Sequence, residues 1–161
     1  MKTLTPHQNR TILVVDDKLA GREFAAAALG CLDFEIITAA DGLEALAMIL
    51  ERKPFLILLD LCMPVLDGFS LVRELRRNPQ TVRLLVVALT ASAMEGDRER
   101  ALGAGFSGFI SKPVGIAALR AQVTAFFQQQ EHHHQPEEED HDYKRSTGGL
   151  SDVGALGCVA A

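Results

Sequence analysis

Five short apolar runs punctuate the chain: TILVV at 11–15, FEIIT at 34–38, FLILL at 55–59, LLVVAL at 84–89 and GFI at 108–110. Several are continuous rather than alternating, the pattern of strands buried on both faces of a parallel sheet. Between them lie stretches with helical spacing. Leu43, Leu46 and Leu50 share one helix face, as do Ile116, Leu119, Val123 and Phe126, and residues 22–29 are rich in alanine, the strongest helix former. Strand and helix alternate five times between residues 11 and 127, which predicts an α/β doubly wound domain with right-handed crossovers. Ligands of such sheets bind outside the carboxyl ends of the strands. The groups at those ends therefore carry the chemistry.

The pattern divides the chain into an N-terminal extension at 1–9, a domain at 10–127 and a tail at 128–161. The tail, QQQEHHHQPEEEDHDYKRSTGGLSDVGALGCVAA, has no sustained apolar period and reads as disordered. Charge sharpens the division. Residues 1–127 carry 14 acidic and 14 basic side chains, whereas residues 128–161 carry seven and two, so the net charge of −5 belongs to the tail. A formally neutral body offers no basic excess for nucleic acid and predicts no DNA binding. No apolar run reaches the ~18 residues of a membrane span, and MKTLTPHQNR lacks the apolar core of a signal peptide. Cys31, Cys62 and Cys158 are odd in number and have no CxxC spacing, which suits unpaired thiols in a reduced, cytoplasmic setting without membrane insertion.

The strand ends hold a distinctive set. Asp16-Asp17 ends the first run, Asp60 the third and Thr90 the fourth, and Lys112-Pro113 follows the fifth. A parallel sheet brings all of them to one edge. Two carboxylates about 4 Å apart at an effective dielectric near 20 repel by roughly 4 kcal/mol, so three need a cation. A hard divalent ion resolves the conflict, and magnesium needs only a few carboxylates. One carboxylate then remains available as a nucleophile toward a phosphoryl group, with the metal and Lys112 offsetting charge on the transferring oxygens.

VVDD at 14–17, LLDLCMPVLDG at 58–68, ALTA at 88–91 and FISKP at 109–113 resemble, in order and spacing, the receiver domain of two-component response regulators. The resemblance spans about residues 10–127. It implies a flavodoxin-like five-stranded parallel sheet in the order 2-1-3-4-5 with five helices, as in CheY-like proteins. It implies that Asp60 is the phosphoacceptor, supplied by a histidine kinase or histidine phosphotransfer protein, and that Asp16, Asp17, Asp60 and the Cys62 backbone carbonyl bind Mg2+ or Mn2+. Lys112 matches the lysine that pairs with the acyl phosphate, Thr90 the switch hydroxyl and Phe109 the switch aromatic, and the Lys112-Pro113 bond is implied to be cis. The implied protein is no conventional enzyme. It catalyses only its own phosphorylation and dephosphorylation, acts as a stand-alone receiver, and presents a switched surface to a downstream effector protein.

Simpler readings stand beside these. Asp60 can cap the helix that follows it, Asp16-Asp17 can be a solvated pair, Thr90 can be an N-cap and Phe109 plain core. Asp67 reads as an N-cap, and Gly68 allows the tight loop before it. His132, His133, His134 and His141 have metal-ligand chemistry but no fold to fix them, so they read as a solvated tract. Lys18 departs from the acidic or amide side chain frequent after the acidic pair, and Phe55 from a frequent aspartate after the proline. Cys62 and Ser92 occupy positions that tune dephosphorylation. Competing functions are a phosphorelay intermediate or phosphate sink, a phosphorylation-independent binding module, and an aspartyl-nucleophile phosphatase. The last is weakened because neither acidic site shows a D-x-D pattern.

Overall fold

The computed structural model describes residues 10–64, 66–91 and 96–132. Ten elements alternate without exception: β1 (Thr11–Val15), α1 (Leu19–Leu29), β2 (Glu35–Ala39), α2 (Gly42–Arg52), β3 (Leu56–Leu59), α3 (Gly68–Arg77), β4 (Leu85–Thr90), α4 (Asp97–Ala104), β5 (Gly108–Ser111) and α5 (Ile116–His132). The strands form one parallel sheet in the order β2-β1-β3-β4-β5. The continuous apolar runs are buried as their pattern demands: all five residues of β1 and all four of β3 are buried. Successive residues feed opposite faces. Leu13, Val15, Ile57 and Leu59 pack beneath one set of helices with Ile49, Leu71 and Leu75. Ile12, Val14, Leu56 and Leu58 pack on the other side with Ala25, Leu29, Leu119 and Val123. Each of these large aliphatic side chains contributes roughly 1.5–3 kcal/mol on removal from water.

Two helix faces differ from those that leucine spacing predicts. In α2, Leu43 and Leu50 are exposed, and Gly42, Ala45 and Ile49 face the sheet. The reason is proximity: a Cβ on Gly42 would lie 2.8 Å from the Leu66 side chain, so this helix approaches through small residues. In α5, Ile116 is exposed and Phe127 takes a place in the core row with Leu119 and Val123, while Phe126 is partly buried. The helix also runs five residues past the predicted boundary at 127, because glutamines and a glutamate follow and no helix breaker comes before Pro136. The disordered tail predicted for 128–161 is corrected to that extent. Its remainder, with His133, His134, His141 and Cys158, lies outside the described residues, as do residues 1–9 and Ser92.

Local chemistry sets the helix ends. Asp41 caps α2 by accepting from the Leu43 and Glu44 N–H groups, and Glu44 accepts from the Ala40 N–H at 2.7 Å. Asp67 caps α3, accepting from the Ser70 N–H at 3.0 Å and its hydroxyl at 2.8 Å. The Ser70 backbone bond, then the hydroxyl, holds the Asp67 carboxyl below the usual aspartate range. Phe55 packs edge-on against Phe127 at 5.0 Å, and Phe34 does so at 5.3 Å, which ties the far end of α5 to the sheet. Arg76 bridges three segments. Its guanidinium donates to the carbonyls of Gly105 (2.8 Å), Val82 (2.9 Å) and Leu84 (3.0 Å). Among the described residues, no helix is long and apolar enough to cross a membrane.

Candidate acidic phosphoacceptor site

The sheet ladder continues one residue beyond the strands and fixes the acids. The Asp16 N–H donates to the Ala39 carbonyl (3.2 Å), the Asp60 N–H to the Val15 carbonyl (2.9 Å), and the Lys112 N–H to the Thr90 carbonyl (2.7 Å). Asp16, Asp60 and Thr90 are thereby buried at one edge, at 1%, 5% and 0% exposure. Their strands are buried on both faces, so the backbone here has little freedom to move them.

One carboxylate oxygen from each of Asp16, Asp17 and Asp60 lies within 4.8 Å of the others. Lys112 Nζ stands 2.7 Å from Asp16 Oδ2 and 3.6 Å from Asp60 Oδ2. It offsets one of three negative charges, so the cluster retains a demand for a cation. The remaining oxygens are unequally served. Asp16 Oδ1 accepts from the Lys18 N–H at 2.8 Å, and Asp60 Oδ1 from the Cys62 N–H at 3.1 Å. Asp17 Oδ1 is buried and accepts no hydrogen bond among the described residues. A buried oxygen left so is costly. An orphaned carboxylate oxygen beside two more carboxylates is the donor set of a hard divalent cation, so magnesium or manganese fits these residues.

Three further residues shape this edge. Gly68 lets α3 begin against Asp60, since a Cβ there would lie 2.8 Å from the Asp60 carbonyl oxygen. Arg22 donates to the Asp16 carbonyl at 2.7 Å. Gly21 occupies the turn of α1 that faces the Asp16 carboxylate. Gly68 is legible in the sequence as a loop glycine, whereas Arg22 and Gly21 carry no signal among the other residues of an alanine-rich helix.

The remaining sequence-predicted residues fall around the acids. Thr90 ends β4 in register with Ser111, one residue before Lys112. Phe109 pairs with Ala88, lower in the sheet, and is half-buried against the α2–α3–α4 core. It lies outside the acidic cluster but on the sheet face that Ala88 and Thr90 share by strand alternation. The Lys112-Pro113 peptide bond is cis. Cys62 is exposed and carries a free thiol.

Known proteins share this sequence pattern and fold. A family model of the response regulator receiver domain matches residues 12–124. The response regulator PleD of Caulobacter vibrioides is 43% identical over 112 residues, which are 70% of this chain and 25% of that protein. The phosphate regulon transcriptional regulatory protein PhoB of Pseudomonas aeruginosa is 38% identical over 116 residues, 72% of this chain and 51% of that protein. The chain thus spans about half or less of the length of these relatives. The solved structure of the chemotaxis response regulator CheY4 of Vibrio cholerae superposes with a TM-score of 0.69 at 28% identity, covering 74% of this chain and 99% of that one. With the motifs at its strand ends, its strand order and its matched length all agreeing, the chain belongs to the response regulator receiver family.

Proposed function

We propose that this receiver is a phosphorylation switch that accepts a phosphoryl group on Asp60 from a histidine kinase or histidine phosphotransfer protein. The observation that carries the reading is the buried cluster of Asp16, Asp17 and Asp60, with Lys112 3.6 Å from Asp60 Oδ2. A carboxylate oxygen of Asp60 attacks the phosphorus of phosphohistidine. The new P–O bond forms as the P–N bond breaks, and the electron pair leaves with the imidazole. Lys112 meets negative charge as it builds on the phosphoryl oxygens. Asp16, Asp17, Asp60 and the Cys62 carbonyl would hold Mg2+ or Mn2+, which when bound supplies further compensation of phosphoryl charge. The burial of Asp60 restricts the access of water to the product.

The readout follows from the buried Thr90. Its hydroxyl donates to a phosphoryl oxygen on Asp60, and the loop after β4 is drawn inward. Phe109, half-buried lower on the same sheet face, turns into the space vacated, and the surface of α4, β5 and α5 changes. A charge-assisted hydrogen bond is worth roughly 1.5–3 kcal/mol, and ~1.4 kcal/mol shifts a two-state balance tenfold. The formally neutral body supports readout through protein contact rather than by direct contact of this domain with DNA. Beryllofluoride with magnesium, added to the 15N-labelled protein, should shift the amide resonances of β4, β5 and α4 in wild type and leave Asp60→Asn unchanged. An absent shift, or the same shift in both proteins, contradicts the proposal.

A further inference from the structure

We propose that Gly21 is a positioning residue for the acidic site, reserving the volume that the Asp16 carboxylate occupies against α1. This rests on the magnesium reading above for its consequence, though not for its geometry. A Cβ at position 21 would fall inside the van der Waals envelope of Asp16 Oδ2, 2.7 Å from Cγ and 3.1 Å from Oδ1. All three atoms of the carboxylate thus crowd the one position in α1 that has no side chain to place there. Nothing else in α1 calls for glycine. Its φ is not in the left-handed region, where among the described residues only Gly96, Gly105 and Lys53 lie. The helix around it, LAGREFAAAAL, is otherwise built from alanines, strong helix formers and one phenylalanine, and glycine weakens a helix relative to alanine.

Asp16 is held on its other sides from α1, from the residue before that helix and from the residue after β5. The Lys18 N–H holds Oδ1, Arg22 holds the main-chain carbonyl, and Lys112 holds Oδ2. Alanine at 21 leaves the backbone, Arg22 and Lys112 in place, and the group that must yield is the end of the Asp16 side chain. A displaced Asp16 loses Lys112 and leaves the cluster with Asp17 and Asp60. Ligand-orienting residues of this kind typically change metal affinity by about 10- to 100-fold.

Two measurements on the intact chain decide the matter. In a metal-free crystal structure of Gly21→Ala, the Asp16 carboxylate should have left Lys112. Asp16 still in place, with α1 displaced instead, overturns the proposal. Calorimetric titration of Mg2+ should show Gly21→Ala weaker than wild type by about 10- to 100-fold. In the Asp16→Ala background the same substitution should change nothing, because the group it displaces is gone. Unchanged affinity in Gly21→Ala, or an equal loss in both backgrounds, overturns the assignment. No binding by wild type instead contradicts the magnesium reading, and the crystal structure then decides the role of Gly21 alone.

Discussion

Lys112 Nζ lies closer to Asp16 Oδ2, at 2.7 Å, than to Asp60 Oδ2, at 3.6 Å. The ammonium is held chiefly by the acid that is not the proposed phosphoacceptor. Asp60 is therefore approached by a cation without being locked in a tight pair with it, and a phosphoryl group on Asp60 can be met by Lys112 without first breaking a short ion pair there.

Removing that ammonium leaves Asp16 and Asp60 without their shared cation, beside the Asp17 carboxylate. Lys112→Met should lower stability in chelator by about 1–3 kcal/mol, less than the loss of a fully buried partner because the lysine is a quarter exposed. Magnesium should then restore more stability to the variant than it adds to wild type, since ion and ammonium offset the charge of the same acidic cluster. Thermal unfolding with and without Mg2+ checks both statements. An equal magnesium shift in the two proteins counts against a shared site.

Arg76 is a polar anchor away from the acids. Truncating it leaves the carbonyls of Gly105, Val82 and Leu84 without this donor, at roughly 1 kcal/mol or more for each that stays dry. Arg76→Ala should therefore cost about 2–4 kcal/mol in urea unfolding. Arg76→Lys should recover only part of this, because an ammonium cannot reproduce the planar fork that spans three acceptors. Full rescue by lysine would show that charge alone matters.

Asp67 gives a pH dependence with a defined sign. Its folded pKa is depressed, first by the Ser70 backbone bond and then by the Ser70 hydroxyl. The cap's contribution is accordingly complete above the ordinary aspartate pKa and is lost as pH falls through the lowered folded value. Asp67→Ala should cost about 1 kcal/mol at neutral pH. The gap between variant and wild type should close in strong acid. A gap independent of pH would mean that the cap does not act through the carboxylate.

Strand positions and the acidic edge are legible in the sequence because both rest on local order. A strand buried on both faces must be a continuous apolar run, and the residue after it must stand at the sheet edge. Asp16, Asp60 and Thr90 are found by that rule alone, and Lys112 lies two residues past the run at 108–110. The faces of α2 and the role of Arg76 are not legible, for a different reason. Leucine spacing at 43, 46 and 50 describes a possible apolar stripe, but the distance between helix and neighbours selects the row of Gly42, Ala45 and Ile49 beside it. Nothing in LRRNP separates Arg76, which reaches across to Gly105 and Ser107 between α4 and β5, from Arg77, which pairs with Glu74 on the surface. Phe55 reads as the start of an apolar run and a departure from the family pattern, and its partner Phe127 is distant in sequence. Gly21 belongs with these, since its neighbour in space is a side chain whose direction only the fold defines.

The most direct test of the central claim is intact-protein mass spectrometry after incubation with acetyl phosphate and magnesium. Wild type should gain the mass of one phosphoryl group, in a hydroxylamine-labile form that maps to Asp60. Chelator, Asp60→Asn and Lys112→Ala should each abolish or sharply reduce it. An adduct equally abundant in Asp60→Asn, or none in wild type, would contradict the assignment of Asp60 as the phosphoacceptor.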